Sequence, residues 1–157
     1  MQSFYERFLL DITQVFDFAT LEARRVGSVY IEPEHLLLGL THDADSKANQ
    51  LFALAPHAES FRKQLQVPIQ TAQNAPTVEL PLSSAAKRAV AYTVEEAHRV
   101  RSTPIGTEHL LLGLLRENHS TVPAFLATLG IDLHSARNRV RQDAGLPALE
   151  DEPGSEP

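Results

Sequence analysis

The stretch Glu34-His35-Leu36-Leu37-Leu38-Gly39-Leu40 occurs twice in this chain, the second time as Glu108-His109-Leu110-Leu111-Leu112-Gly113-Leu114. Laid on itself with an offset of 74 residues, the chain matches at thirteen of the nineteen positions from Glu22 to Leu40. Chance pairing at ordinary composition gives about one match. Outward from the core string, Glu22, Ala23, Arg25 and Val26 fall on Glu96, Ala97, Arg99 and Val100, and Ile31 falls on Ile105. After one extra residue the match resumes, with Leu51 on Leu126 and Leu54 on Leu129. One structural unit used twice leaves this signature.

Each unit reads as helices. Phe8, Ile12, Val15, Phe16, Ala19, Ala23 and Val26 recur at helical spacing, as do Ala86, Val90, Val94, Ala97 and Val100. Gly27 suits the left-handed position that ends a helix. Its counterpart Arg101 would cost roughly 1–2 kcal/mol there, so the second unit is expected to end its first helix differently. His35–Leu40 and His109–Leu115 are apolar nearly all round, which predicts two central helices. Pro33 suits a first helical turn and Thr107 an N-cap. Gly39 and Gly113 lie inside these helices against their propensity, and close approach of another backbone is the expected reason. Third helices are expected over about Ala48–Leu54 and Val122–Leu129, and fourth helices over about His57–Gln66 and Leu133–Gln142, the last capped by Asp132. A four-helix unit of this size buries little surface alone. The expectation is therefore one all-α domain with pseudo-twofold symmetry: a first repeat over 1–66, a linker over 67–82, a second repeat over 83–145, and a Pro- and acid-rich tail over 146–157 without fixed structure.

Composition narrows the function. The formal net charge of -6 argues against nucleic acid, whose phosphates need clustered Lys and Arg. Arg137, Arg139 and Arg141 on the last helix read as a solvated face with favourable charge near a helix C-terminus. There is no cysteine, hence no disulfide or thiolate chemistry. No apolar run approaches the roughly 20 residues of a membrane span, and no signal peptide is read at the N-terminus, so a cytoplasmic chain is expected. None of the seven glycines lies in a Gly-x-x-x-x-Gly-Lys-Ser/Thr loop, and the seven histidines show neither His-x-x-x-His nor His-Glu-x-x-His spacing. No Gly-x-Ser-x-Gly elbow is present. No catalytic residue, metal or cofactor is therefore expected.

The repeated string resembles the Clp repeat, the N-terminal domain of Clp/Hsp100 unfoldases, and the C type most closely. The residues that carry the resemblance are Glu96-Ala97-His98-Arg99, Ile105-Gly106-Thr107-Glu108-His109 through Leu114, and Leu129-Gly130. In the first unit they are Glu22-Ala23-Arg24-Arg25-Val26-Gly27 and Ile31-Glu32-Pro33-Glu34-His35 through Leu40. It spans about Phe4 to Gln142. It implies two tandem four-helix Clp repeats packed as one domain, and a non-catalytic module that recognises substrate or adaptor proteins for a Clp-type unfoldase or protease. An alternative is an accessory subunit docking on the Clp protease core; a remote one is a metal-dependent hydrolase using the Glu-His pairs. Such unfoldases continue into ATPase modules, and with no P-loop here the chain reads as either a detached N-domain or, preferred, a free-standing Clp-repeat protein.

The resemblance also implies a ligand. In similar domains of the C type the Glu of each Glu-His pair contacts the guanidinium of phosphoarginine, which here designates Glu34 and Glu108, with Thr107 beside the latter. In the first unit Pro33 replaces the motif Thr and Glu32 the motif Gly, so Thr107-Glu108 is expected to hold phosphoarginine and Pro33-Glu34 to bind poorly or not at all. The other reading is local: each Glu favours a helix N-terminus and each His packs or caps. The partners expected are adaptor or substrate proteins and a Clp-type unfoldase or protease core; the oligomeric state is open.

Overall fold

The structure is a computed structural model that describes residues 4–64, 80–101 and 105–149, with side chains from Ile12 onward. The first half comprises α1 (Phe4–Arg25), α2 (Pro33–Thr41), α3 (Lys47–Phe52), a 3-10 turn (Ala55–His57) and α4 (Ala58–Gln64). The second repeats the order with α5 (Ser84–Arg99), α6 (Thr107–Arg116), α7 (Val122–Ala127) and α8 (Leu133–Asp143). The chain is all-α; an isolated parallel bridge joins Ile31 to Leu82. The expected fourth helix of the first repeat starts behind a 3-10 turn, in which the His57 N–H donates to the Leu54 carbonyl and Pro56 sits in the first turn, where its missing N–H costs no helical hydrogen bond.

The central helices α2 and α6 form the middle of the core. Leu36, Leu37, Leu40, Leu110, Leu111, Leu112 and Leu114 are all within about 1% of complete burial. α2 touches α6, while α3 packs on α6 and α7 on α2, so each repeat completes the other's core. Phe61 of α4 meets Phe125 of α7 edge-on at 4.7 Å. The repeats therefore share their apolar surface.

Within each repeat the long helix lies against the central helix through a glycine. A Cβ on Gly39 would stand 2.6 Å from the Val15 carbonyl oxygen of α1. One on Gly113 would run into the Ala89 carbonyl oxygen and Thr93 Oγ1 of α5, and stand 2.8 Å from the Thr93 amide nitrogen. The expected close approach is the reason for both glycines. It also turns the buried face of α5. The stripe read from the sequence included Val94, which is 38% exposed; Ala89 and Thr93 are buried instead, where the α6 backbone comes closest.

The end of α5 corrects a second expectation. Gly27 adopts φ 71° after α1, as its type suggests, and its N–H donates to the Arg24 carbonyl. Arg101 adopts φ 51° and its N–H donates to the His98 carbonyl, so the second repeat ends its helix as the first does despite the side chain. Arg101→Gly is expected to raise stability by up to about 1 kcal/mol, partly offset by the freer unfolded chain. In thermal denaturation the midpoint should rise by about 2 °C.

Of the expected linker, 67–79 lies outside the described residues, as do 65–66 at the end of the expected fourth helix. Leu80 is buried, and the Ile31 N–H donates to the Pro81 carbonyl while the Ser83 N–H donates to that of Ile31. At the C-terminal end, 150–157 lies outside the described residues. Before it, the Leu146 N–H donates to the Arg141 carbonyl and the Leu149 N–H to Asn138 Oδ1.

Candidate functional site

Both histidines of the Glu-His pairs are core residues, 2% and 1% exposed. His35 Nδ1 accepts the Glu32 N–H at 2.9 Å, and His109 Nδ1 accepts the Gly106 N–H at 2.8 Å. Each ring thus closes the N-terminus of its central helix from within, which requires the neutral tautomer protonated on Nε2. In His35 that second nitrogen is buried without a hydrogen-bond partner among the described residues. Among the described residues no group of three or more His, Asp or Glu is placed to hold a metal ion.

Burial holds both rings below the ordinary imidazole range, and lowers His109 to about 4. The unfolded chain therefore takes up this proton first, from about pH 6.5 downward. Stability is lost between about pH 6.5 and 4, by about 2 kcal/mol at pH 5 from His109 alone, and is unaffected by this group above that window. Urea unfolding at pH 7 and pH 5 should show the loss, and His109→Asn, which keeps an acceptor but no titrating ring, should reduce it.

The glutamates of the pairs have different surroundings. Glu34 Oε2 accepts both the Thr121 N–H at 3.0 Å and the Thr121 hydroxyl at 2.8 Å, capping the entry to α7 in the opposite repeat. Thr107 also acts across the repeats: its buried Oγ1 accepts the Ala48 N–H at 3.0 Å at the start of α3. The reciprocal positions are Pro33 and Pro123, neither of which has an N–H. Pro33 therefore leaves no donor unpaired at the first site, although it removes the hydroxyl.

Glu108 lines a cavity of about 210 Å³ between the repeats. Phe18, Val15 and Leu40 give it apolar walls; Asp43, Asp45, Ser46, Lys47, Thr107 and Gln14 supply the polar lining. His42 stacks on the Phe18 ring with centroids 4.3 Å apart. The three residues designated from the sequence thus separate: Thr107 and Glu108 share this cavity, while Glu34 is engaged by Thr121.

Sequence reasoning missed the two ion-pair hubs that brace the site. Glu22, 4% exposed, accepts Arg62 Nε at 3.1 Å and Nη2 at 2.9 Å, and meets His42 Nε2 at 2.8 Å. Its counterpart Glu96, 1% exposed, accepts Arg137 Nε at 2.9 Å and Nη2 at 2.7 Å, and Arg116 Nη1 at 3.1 Å. Burial alone would raise both carboxyls, but the hydrogen bonds and charges of Arg62 and Arg137 leave them below the ordinary range. The expected solvated face of α8 holds for Arg139, which is exposed, and the expected charge near the helix C-terminus for Arg141 in the last turn; Arg137 departs from it. Arg137 serves Glu96, Arg139 Nη1 donates to the Leu51 carbonyl across the repeats, and Arg141 Nε donates to the Pro147 carbonyl. A signal was available: Glu22 falls on Glu96 and Arg62 on Arg137, both ends of the pair repeated.

Two helical units joined face to face, each central helix opened by a Glu-His pair whose ring caps it, define a Clp-repeat domain. The family model described as the Clp repeat (R) N-terminal domain matches residues 81–157. The ClpA homolog of Porphyra purpurea is 33% identical over 142 residues, covering 90% of this chain and 17% of its own length. The chloroplastic chaperone protein ClpC1 of Oryza sativa subsp. japonica is 32% identical over 146 residues, covering 92% of this chain and 16% of its own. The N-terminal domain of ClpD from Arabidopsis thaliana superposes with a TM-score of 0.65 at 20% identity, over 90% of this chain and 96% of that one. The chain belongs to the Clp repeat N-terminal domain family, and it spans about a sixth of the length of the curated relatives it matches. No helix among the described residues is long and apolar enough to cross a membrane.

Proposed function

We propose that this chain is a non-catalytic recognition module that captures substrate or adaptor proteins for a Clp-type unfoldase or protease in the cytoplasm. In this reading Glu108 is the carboxylate that pairs with an arginine-type side chain of the bound protein, phosphorylated or not, and Thr107 fixes the geometry around it. The observation that carries the reading is that Thr107 and Glu108, the two motif residues of the second repeat, line one cavity between the repeats. A carboxylate on a cavity wall can take a guanidinium through two parallel hydrogen bonds.

The test is a titration of arginine- and phosphoarginine-containing peptides into Glu108→Gln and Glu34→Gln. Glu108→Gln is expected to weaken binding about tenfold or more, and Glu34→Gln by less than about twofold. Equal losses would contradict the assignment. Recovery of the protease core with the chain, unchanged in Glu108→Gln, would favour an assembly subunit instead.

A further inference from the structure

A second cavity lies between the repeats, and we propose that it holds the last residue of a bound protein: a bulky apolar side chain together with its free C-terminal carboxylate. Both halves of the chain build it. Phe52 ends α3 and His57 ends the 3-10 turn; Leu129 and Ile131 come from the turn between α7 and α8, and Ser135 and Arg139 from α8. Ser135 and Arg139 are four residues apart and so share one face of that helix. None of these six residues lines the cavity that Glu108 borders.

The charge of the lining is the first ground. Among the described residues it holds one guanidinium and no Asp or Glu, in a chain of formal net charge -6. Asp132, at the start of α8, turns its Oδ1 to the Ser135 N–H at 2.8 Å. Arg139 is exposed yet held in place. Its Nη1 donates to the Leu51 carbonyl at 2.7 Å, and its guanidinium carbon lies 5.8 Å from the centroid of the Phe52 ring. A guanidinium has several further N–H groups, so this bond leaves a fork for a carboxylate. The Ser135 hydroxyl donates to the Asp132 carbonyl at 3.3 Å, which leaves its oxygen to accept the N–H of the same terminal residue.

The second ground is the apolar surface beside that cation. Phe52, Leu129 and Ile131 are partly buried against the core and line the cavity. An Asp or Glu side chain would bring a carboxylate with nothing to cover them, whereas a C-terminal leucine brings both parts on one residue. Size is the third ground. The cavity of about 240 Å³ is several times the roughly 30 Å³ of a water molecule, but below the roughly 300–1,000 Å³ of sites for free small molecules. The duplication supplies a control. With the offset that sets Arg62 on Arg137, Gln64 falls on Arg139, Ala127 on Phe52 and Asp132 on His57. The corresponding set thus has neither cation nor ring, and carries an acid.

The experiment titrates a fluorescein-labelled glycine-serine peptide ending in a free leucine into the full chain, read by fluorescence anisotropy. Two controls are the same peptide with a C-terminal amide, and one with glutamate and leucine placed internally. The free acid is expected to bind about tenfold or more tightly than either. Arg139→Gln should bring the acid to the level of the amide, Arg139→Lys should keep part of the difference, and Glu108→Gln should leave it unchanged. An amide that binds as tightly as the acid would overturn the proposal, as would no binding of the acid at all. So would an acid-amide difference that survives in Arg139→Gln while its thermal midpoint falls, since Arg139 would then only brace the fold. Equally tight binding of the internal glutamate peptide would overturn it in favour of acidic side chains. Each of these results leaves the reading of Glu108 standing, because that residue belongs to the other cavity.

Discussion

Gly113→Ala is expected to destabilise this protein by about 3 kcal/mol, a large part of the stability of a domain this size. Alanine is the better helix former by about 1 kcal/mol, so propensity alone gives the opposite sign. The added methyl would meet three atoms of α5 at once: the Ala89 carbonyl oxygen, Thr93 Oγ1, and the Thr93 amide nitrogen 2.8 Å away. Two of these are backbone, and the Thr93 hydroxyl is bound to the Ala89 carbonyl at 2.8 Å, so none can swing aside cheaply. α6 would have to retreat from α5 and drag with it the leucines that fill the centre of the core. Gly39→Ala should act in the same direction but less, because only the Val15 carbonyl oxygen lies under 3.0 Å there. Urea unfolding of the two variants checks both sign and order; a Gly113→Ala protein as stable as the parent would contradict the packing described.

Glu96→Gln is expected to cost about 3 kcal/mol. Removing one partner of a buried ion pair leaves the other charge uncompensated, and here Arg137 would lose its carboxylate beside Arg116, which keeps Glu95 at 3.1 Å. Their side chains are 21% and 20% exposed, so water reaches them in part and holds the cost to the lower end of the usual range. Glu22→Gln should cost less, because Arg62 keeps a second carboxylate, that of Glu59 at 2.6 Å, and its neighbours on Glu22 are His42 at 2.8 Å and Arg25 only at 3.7 Å. The decisive check is a double variant. Replacing Arg137 by Met in the Glu96→Gln background should recover part of the loss, since it removes a stranded charge and leaves an apolar stem. No recovery would mean that the carboxylate acts through something other than this pair.

Much of this architecture is legible along the chain because it is local or duplicated. The apolar runs after His35 and His109 place the central helices, and glycines inside them betray the helix crossings. What periodicity cannot show is where two repeats exchange hydrogen bonds. Glu34 reaches Thr121 and Thr107 reaches Ala48 over 87 and 59 residues of sequence, and neither link has a spacing rule. Arg101 was misread for a different reason: side-chain strain set the expectation, but the packing of the helices on either side over-determines the turn. The three arginines of α8 look like a solvated face when that helix is viewed alone. Only the position of Glu96 on α5, beneath Arg137, explains the first of them.

The differences between the repeats concern the same few residues throughout. Pro33 and Pro123 remove a hydrogen bond from one side of the pseudo-twofold that Thr107 and Ala48 keep on the other. Glu34 closes its own site on Thr121, and Glu108 borders the cavity. The most direct test follows backbone amide resonances of the isotopically labelled chain while an arginine-containing peptide is added. The expected result is a single cluster of shifts over Asp43–Ala48 and Thr107–Glu108, with Glu34 and Thr121 unmoved. Shifts centred on Glu34 and Thr121, or of equal size at both sites, would contradict a recognition site built in only one half.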